Sequence, residues 1–410
     1  MKDVRIAVIG AGASGLMAAL VCAESGAKVT VFERNSSIGR KLSITGNGKC
    51  NITNEDLDLS HYKDCDESFI ESVFNEFDNR DLLDFLGKRG LLNCERNGYF
   101  YPRSEQASGV ITFFENRLNS LNVSILCDIK AGDIEKDSNG FRIITDKGAY
   151  EYFDKVIVGC GGKAAPKTGS DGFGFRLARK FGHKVSNTYP VLVPLTVKEK
   201  LKELEGVRAK SSIDVIVDGE FKDSIFGEVQ FTKDFLSGIP VFLSSRFVSK
   251  PVEEGKECIL KFDFLSEIED TDRFLKDRVE MCSNRSLKDF FDGIFNDKLY
   301  SYLLSNFCEI KGLNINTEIN KSDLKICEDF IYFVKNFKFH VTGHADYNAA
   351  QCTKGGVLTS ELSPKLESLF CKGLYFTGEM VDVDGECGGY NLQWAFSSAY
   401  VAAVHACGLE

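Results

Sequence analysis

Three glycines and an acid near the start of the chain have the types and spacing to hold a nucleotide. Gly10, Gly12 and Gly15 form G-x-G-x-x-G, with Ala11, Ala13 and Ser14 between them, and Glu33 follows roughly 20 residues on. Gly10 permits a tight turn. Gly12 has no Cβ, so a pyrophosphate can approach the backbone, and Gly15 lets a helix pack close to a strand. A carboxylate at position 33 can accept hydrogen bonds from ribose hydroxyls. The chemistry of this set is binding of an adenosine diphosphate moiety. A comparable pattern stands near the far end, where Gly388-Gly389-Tyr390-Asn391-Leu392 opens a run of small and aromatic residues. Such a helix start carries roughly half a positive charge and free N–H groups.

These residues need elements to position them. Residues 4–9 read as an apolar strand broken only by Arg5, residues 16–23 as a helix closed by Gly26, and residues 28–32 as a second strand ending at Glu33. Strand, glycine turn, helix, strand and acid in succession make the motif specific. The glycines and Ser14 inside the apolar stretch argue against a signal peptide or a membrane span.

A chain of 410 residues predicts two or three domains. It is 43% hydrophobic and 27% charged, which is ordinary for a globular protein. Sixty acids against fifty bases give −10, with no strongly basic stretch, so a phosphate-tracking nucleic-acid binder is disfavoured. The 14 cysteines are scattered without a C-x-x-C pair, and the five histidines are dispersed, so no metal site is expected. The thiols read as reduced, in the cytoplasm.

Residues 34–54 are polar and glycine-rich, and Gly46-Asn47-Gly48 offers open backbone N–H groups to line a ligand. Residues 66–90 read as one helical stretch, 97–103 as a turn with an aromatic edge, and 107–118 as a helix. Residues 123–129, 141–145 and 150–153 read as strands of a small meander. A buried strand at 155–159 runs into Gly161 and Gly162, whose spacing is not that of a second nucleotide motif. From residue 190 the texture becomes that of an antiparallel sheet or barrel, with strands at 191–197, 211–217 and 227–231. Residues 265–326 read as helical and 333–342 as a returning strand. Residues 373–379 form a strand ending in an acid, before a last helix at 393–406. The expectation is an α/β protein with a discontinuous nucleotide domain at 1–190 and 343–410. An inserted β-barrel-like subdomain occupies 191–264 and 327–342, and a helical subdomain 265–326.

Three stretches, VIGAGASGLMAAL with Glu33, GRKLSITGNGKCNITN, and GLYFTGEMVDVDGECGGYNLQWAFSSAYVAA, carry a resemblance to the YhiN/BaiN-type NAD(P)/FAD-dependent oxidoreductases. These belong to the glutathione-reductase-like FAD-binding superfamily, and PKTGSDGFGFRLARKFGH adds a fourth stretch. The resemblance spans essentially the whole chain and implies non-covalent FAD on a Rossmann-like domain. It implies that Gly10, Gly12, Ala13, Ser14 and Gly15 hold the pyrophosphate and Glu33 the ribose. Arg34 and Lys41 would lie near the adenosine and phosphates, Ile129 at the adenine, and Gly161 under the nucleotide. Gly378 and Glu379 would meet the diphosphate and ribityl chain. Gly389, Tyr390, Asn391 and Leu392 would face the flavin pyrimidine ring, and Gly46, Asn47, Gly48, Cys50 and Asn51 the flavin edge. Asn47 and Lys49 stand where Gly and Arg are expected, Met380 follows Glu379, and His344-Ala345-Asp346 replaces a stretch often carrying Arg.

The resemblance implies a reductase that takes a hydride from NADH or NADPH and delivers it through flavin N5 to a conjugated carbon–carbon double bond of a small organic substrate. Alternatives are an oxidase or dehydrogenase of a small amine, a flavoprotein in RNA modification, or a flavin-binding protein without turnover. The expected partner is a small molecule, with neither nucleic acid nor membrane. The sequence singles out no catalytic residue. Arg103, Glu386, Cys387 and Tyr390 are the candidates, beside Tyr99, Tyr101, Asp382, Asp384 and His344; Cys50 and Cys387 are the thiols with a possible redox role. Substrate identity and oligomeric state carry no readable code.

Overall fold

The computed structural model describes residues 4–282, 284–320 and 323–409. Residues 1–3, 283, 321, 322 and 410, which fall within the ranges assigned above, lie outside the described residues. The chain forms two compact units, Met1–Pro190 with Tyr347–Glu410, and Val191–Asp346.

The first unit is built on a five-stranded parallel sheet. Its central strand β1, Arg5–Ile9, pairs on one side with β2, Lys28–Phe32, and on the other with Lys155–Val158. Ser124–Leu126 and Leu374–Phe376 form the edges. Helices and the strand Gly148–Phe153, whose Tyr150 and Phe153 rings pack on Phe32, cover these largely apolar strands. Helix α1, Ala13–Glu24, buries every residue from Ser14 to Cys22. It packs on the C-terminal helix, Tyr390–Ala406, whose Ala399, Ala402 and Ala403 are fully buried. Small residues on both helices allow the close approach that puts Cys22 Sγ 3.9 Å from the Ala403 carbonyl oxygen.

Two local readings of the sequence are corrected here. The stretch 66–90 is two helices, Glu67–Glu76 and Asn79–Lys88. Asp78 breaks it, because its carboxylate accepts from the N–H groups of Arg80 and Asp81 while Asp81 accepts from the Asp78 N–H at 3.1 Å. The stretch 123–129 contributes Ser124–Leu126 to the parallel sheet rather than to the meander. The meander is Ala131–Asp137, Gly140–Thr145 and Gly148–Phe153. A hairpin of Asn93–Arg96 and Tyr99–Pro102, turned by the left-handed pair Asn97 and Gly98, pairs with Thr53–Asn54.

The second unit is a closed six-stranded antiparallel barrel. Its strands include Arg208–Val217, Glu220–Phe231, Cys258–Asp263 and Phe337–His344. Ile213, Val215, Phe231, Leu260, Phe262 and Phe339 alternate inward and fill it. Helices at Thr271–Cys282, Leu287–Phe290, Asp297–Lys311 and Leu324–Lys335 accompany it, with a short ribbon of Arg285–Ser286 and Glu318–Ile319 among them. The last helix runs past 326, because Cys327, Phe330, Ile331 and Val334 keep helical spacing on one buried face. Phe333 is therefore helical, and the returning strand starts at Phe337.

Candidate functional site

The glycine turn separates by role. Gly10 is left-handed (φ 98°), and a Cβ there would stand 2.7 Å from Cys160 Cα. A Cβ on Gly15 would meet the Gly10 carbonyl oxygen at 1.9 Å. Both glycines are required by packing. A Cβ on Gly12 meets nothing within 4 Å, and its φ of −81° suits any residue. Nothing within the described protein asks for glycine at position 12, so its backbone is open to a ligand.

Gly12 is also the N-cap of α1. That helix start has no side-chain cap and no acid in its first turn. The C-terminal helix, capped by left-handed Gly389 (φ 101°), shares both features. Elsewhere Asp66, Asp78 and Asn296 cap helices through their side chains. Helices at Ala107–Ser120 and Ile239–Glu253 share both features, so a missing cap alone marks no site; at Gly12 and Gly389 it leaves first-turn N–H groups that suit an anionic ligand.

Glu33 is 7% exposed. One carboxylate oxygen accepts from the Ala11 N–H at 2.8 Å; the other accepts from the Asn35 N–H and side-chain amide at 2.8 and 2.6 Å. The acid thus fixes the glycine turn to the next loop and keeps lone pairs for a further donor. Asn35 also donates to the Thr168 carbonyl at 3.0 Å. Arg34 pairs with Asp171 and donates to the Gly169 carbonyl at 3.3 Å. Ile129 gives its N–H to the Glu33 carbonyl at 3.0 Å, so its own carbonyl is the backbone group left to meet a base.

The other half of the site comes from the far end of the chain. Thr377 and Ser14 flank Gly159, and Ser14 also packs on left-handed Gly378 (φ 62°). Glu379 pairs with Lys41 at 2.5 Å and accepts from the Thr353 N–H at 2.8 Å. Thr353 Oγ1 in turn accepts from the N–H groups of Lys163 and Ala164, which holds the turn after left-handed Gly161. Lys41 neutralises the carboxylate of Glu379, so a diphosphate there would not face a bare negative charge.

The loop around 46 is left-handed at Gly46, Asn47, Gly48 and Cys50. Gly46 lies beside the Asn51 backbone and the Tyr101 ring, 3.1 and 3.8 Å from a Cβ built on it. Asn51 Oδ1 is buried without a hydrogen-bond partner among the described residues, as is Thr377 Oγ1. A buried unmatched polar atom costs about 1–3 kcal/mol. A ligand carrying an N–H, as the flavin ring does, relieves Asn51. Gly389 presses on the Thr53 backbone, and Tyr99 borders Gly388. The two glycine segments are thus joined by the strand Tyr99–Pro102.

Other candidates fall elsewhere. The Tyr390 ring is 4% exposed and stacks on His61, with its centroid at 4.2 Å. Burial pushes its phenol well above the ordinary range. Cys50 is fully buried, which pushes its thiol up to about 12. Glu386 is held by His61 at 3.0 Å. Asp382 is raised by burial, with Asp384 adding to it. Arg103 is exposed, just past the hairpin. His344 belongs to the second unit, where it contacts Glu253 at 3.0 Å. Sequence reasoning missed Asn35, Thr353, His61 and Tyr62. Only Asn35, two residues after the acid, had a local signal. Among the described residues no group of three or more His, Cys, Asp or Glu could hold a metal, and no helix is long and apolar enough to cross a membrane.

A family profile described as HI0933-like protein Rossmann domain matches residues 4–405. The chain is 38% identical over 404 residues to 3-dehydro-bile acid delta(4,6)-reductase of Clostridium scindens, covering 97% of this chain and 98% of the relative. It is 29% identical over 401 residues to ribosomal RNA dihydrouridine synthase of Haemophilus influenzae, covering 97% of each. A solved 3-ketosteroid delta1-dehydrogenase from Sterolibacterium denitrificans shares the fold, with a TM-score of 0.53, 12% identity and 99% of each chain covered. An open glycine turn, two uncapped helix starts and this match along nearly the whole chain place it in the HI0933-like (YhiN/BaiN-type) family of FAD-dependent Rossmann-domain oxidoreductases.

Proposed function

We propose that the chain uses FAD and a nicotinamide donor to reduce a carbon–carbon double bond conjugated to a carbonyl in a small organic substrate. The observation that carries this is the 38% identity, over 97% of the chain, to a reductase named for the delta(4,6) unsaturation of a 3-dehydro-bile acid. The second named relative supports the same bond type. Making dihydrouridine adds hydrogen across the ring double bond of uracil, which is conjugated to a carbonyl. The two substrates differ in size and charge but share an electron-poor double bond.

In this reading Gly10, Gly12, Ala13, Ser14 and Gly15 hold the pyrophosphate and Glu33 the ribose. Arg34 and Ile129 lie at the adenosine, and Lys41, Gly161, Gly378 and Glu379 at the diphosphate and ribityl chain. The N–H groups at 389–392 face the flavin pyrimidine ring, and residues 46–51 its edge. Bound FAD supplies hydride transfer. The chain's part is to stabilise negative charge through the uncapped helix start, since a helix dipole favours an anion there. Burial of Cys50 keeps its thiol protonated, so that group supplies no nucleophile. The sequence has a single G-x-G-x-x-G, so the nicotinamide docks at the flavin itself.

A specific observation weighs between the two substrate types. Net charge is −10, which opposes an RNA phosphate backbone. The test is anaerobic addition of NADH and then NADPH to the yellow protein. Bleaching followed by reoxidation with a 3-oxo-4-ene steroid supports the reading. Reoxidation by a uridine-containing ribosomal RNA fragment alone moves the assignment to RNA, and no bleaching by either nicotinamide removes the donor.

A further inference from the structure

We propose that His61 is a positioning residue for the bound flavin: with Tyr62 it locks the 385–390 turn and so sets where the start of the C-terminal helix meets the isoalloxazine. This rests on the FAD reading above. The turn contains Gly385, Gly388 and Gly389, the last two with φ of 138° and 101°. A segment this rich in glycine has the most backbone freedom to lose, so its position must be imposed from outside.

Two sets of bonds impose it. On the helix side, Asn391 accepts from the Gly385 N–H at 2.9 Å and donates to the Gly385 carbonyl at 2.8 Å. Asn54 donates to the Gly388 carbonyl at 3.0 Å. The second set comes from residues 61 and 62. His61 Nδ1 meets Glu386 Oε2 at 3.0 Å, and the His61 carbonyl accepts from the Glu386 N–H at 3.0 Å. The imidazole stacks on Tyr390 with an interplanar angle of 19°. The Tyr62 hydroxyl donates to the Tyr390 carbonyl at 2.9 Å. The other imidazole nitrogen meets Asp56 at 3.1 Å, and hydrogen bonding to Glu386 first and then Asp56 raises the imidazole above its usual range against burial. His61 thus stands between two carboxylates beside the helix start, and both favour its protonated form. Its loss would loosen the turn and leave two carboxylates uncompensated where reduced flavin gathers negative charge.

A residue that only supports the fold would change stability and leave the redox balance of the cofactor alone. The test therefore measures the two-electron midpoint potential of the FAD holoprotein, with reference dyes, for wild type, H61A and H61N. H61A is expected to weaken binding of reduced relative to oxidised FAD about tenfold, a fall of about 30 mV. Asn places an N–H near the position of Nδ1 but carries no charge, and H61N is expected to recover only part of that shift. If H61A does not fold, Y62F keeps the ring and removes the bond to the Tyr390 carbonyl; about a threefold change in the same direction is expected. An unchanged potential in H61A, or in Y62F where that variant is used, overturns the locking of the 385–390 turn by His61 and Tyr62 as a control on the flavin, while leaving the FAD reading intact. A wild-type protein that neither holds nor takes up FAD overturns both.

Discussion

At the scale of single residues, two glycines of one motif make opposite predictions. Gly10 is hemmed in by backbone at 2.7 Å and is left-handed. Gly10→Ala is expected to cost roughly 2–4 kcal/mol in a urea titration, from strain plus overpacking. Gly12 faces open space. Gly12→Ala is expected to change stability by no more than about 1 kcal/mol, yet to weaken FAD by about tenfold or more, read as flavin retained through gel filtration. Equal stability losses in the two variants would contradict the division of roles. His61 adds a dependence on pH. Its imidazole is raised by Glu386 and Asp56, with Tyr390 and Tyr62 packed beside it. A base whose value is higher in the fold stabilises fully below its unfolded value of about 6.5, and that stabilisation fades as the pH rises through the raised value. The stability gap between wild type and H61N should therefore be widest below about pH 6.5 and narrow as the pH rises above it.

At the scale of elements, what could be read from sequence was what depends on neighbours in the chain. The β1–α1–β2 unit is legible because glycine turn, apolar run and acid all lie within it. The barrel was legible as alternating strands. The break at Asp78 was missed because the apolar spacing runs on through both helices; the signal was the Asp78 and Asp81 pair, a capping box. Removing it with Asp78→Ala should cost about 1 kcal/mol, seen as a lower urea midpoint at unchanged slope. The strand at Ser124 was misassigned because its partner, β2, is nearly a hundred residues earlier, roughly the sort of separation that local pattern does not report. For the candidate site, the glycine segments at both ends announced themselves by composition. Thr353 and His61 did not, since the partners that tie each to the site, Lys163 and Ala164 for the one and Glu386 for the other, lie far along the chain.

At the scale of the whole molecule, the two units have separate cores. Leu195, Ile213, Phe231, Phe262, Phe330 and Phe339 belong to one buried cluster, all within Val191–Asp346. A contiguous segment with its own core is expected to fold alone. The isolated fragment 191–346 should show a cooperative thermal transition and bind no FAD. A fragment without a transition would mean that its core needs the other unit.

The parallel sheet has one more consequence, for synthesis. Its edge strand, Leu374–Phe376, and the helix that packs on α1 are made more than 350 residues after the turn at Gly10. The intervening 191–346 segment holds its own contacts and can settle while the ribosome is still working. The amino-terminal half must wait, with Lys155–Val158 lacking its second neighbour in the sheet and α1 the helix that packs on it. Contacts this distant in the chain are slow to close. The site that this reading gives to FAD can therefore be complete only once Leu374–Phe376 and the Tyr390–Ala406 helix have been made, and a chain cut before them would hold a finished barrel and half a site.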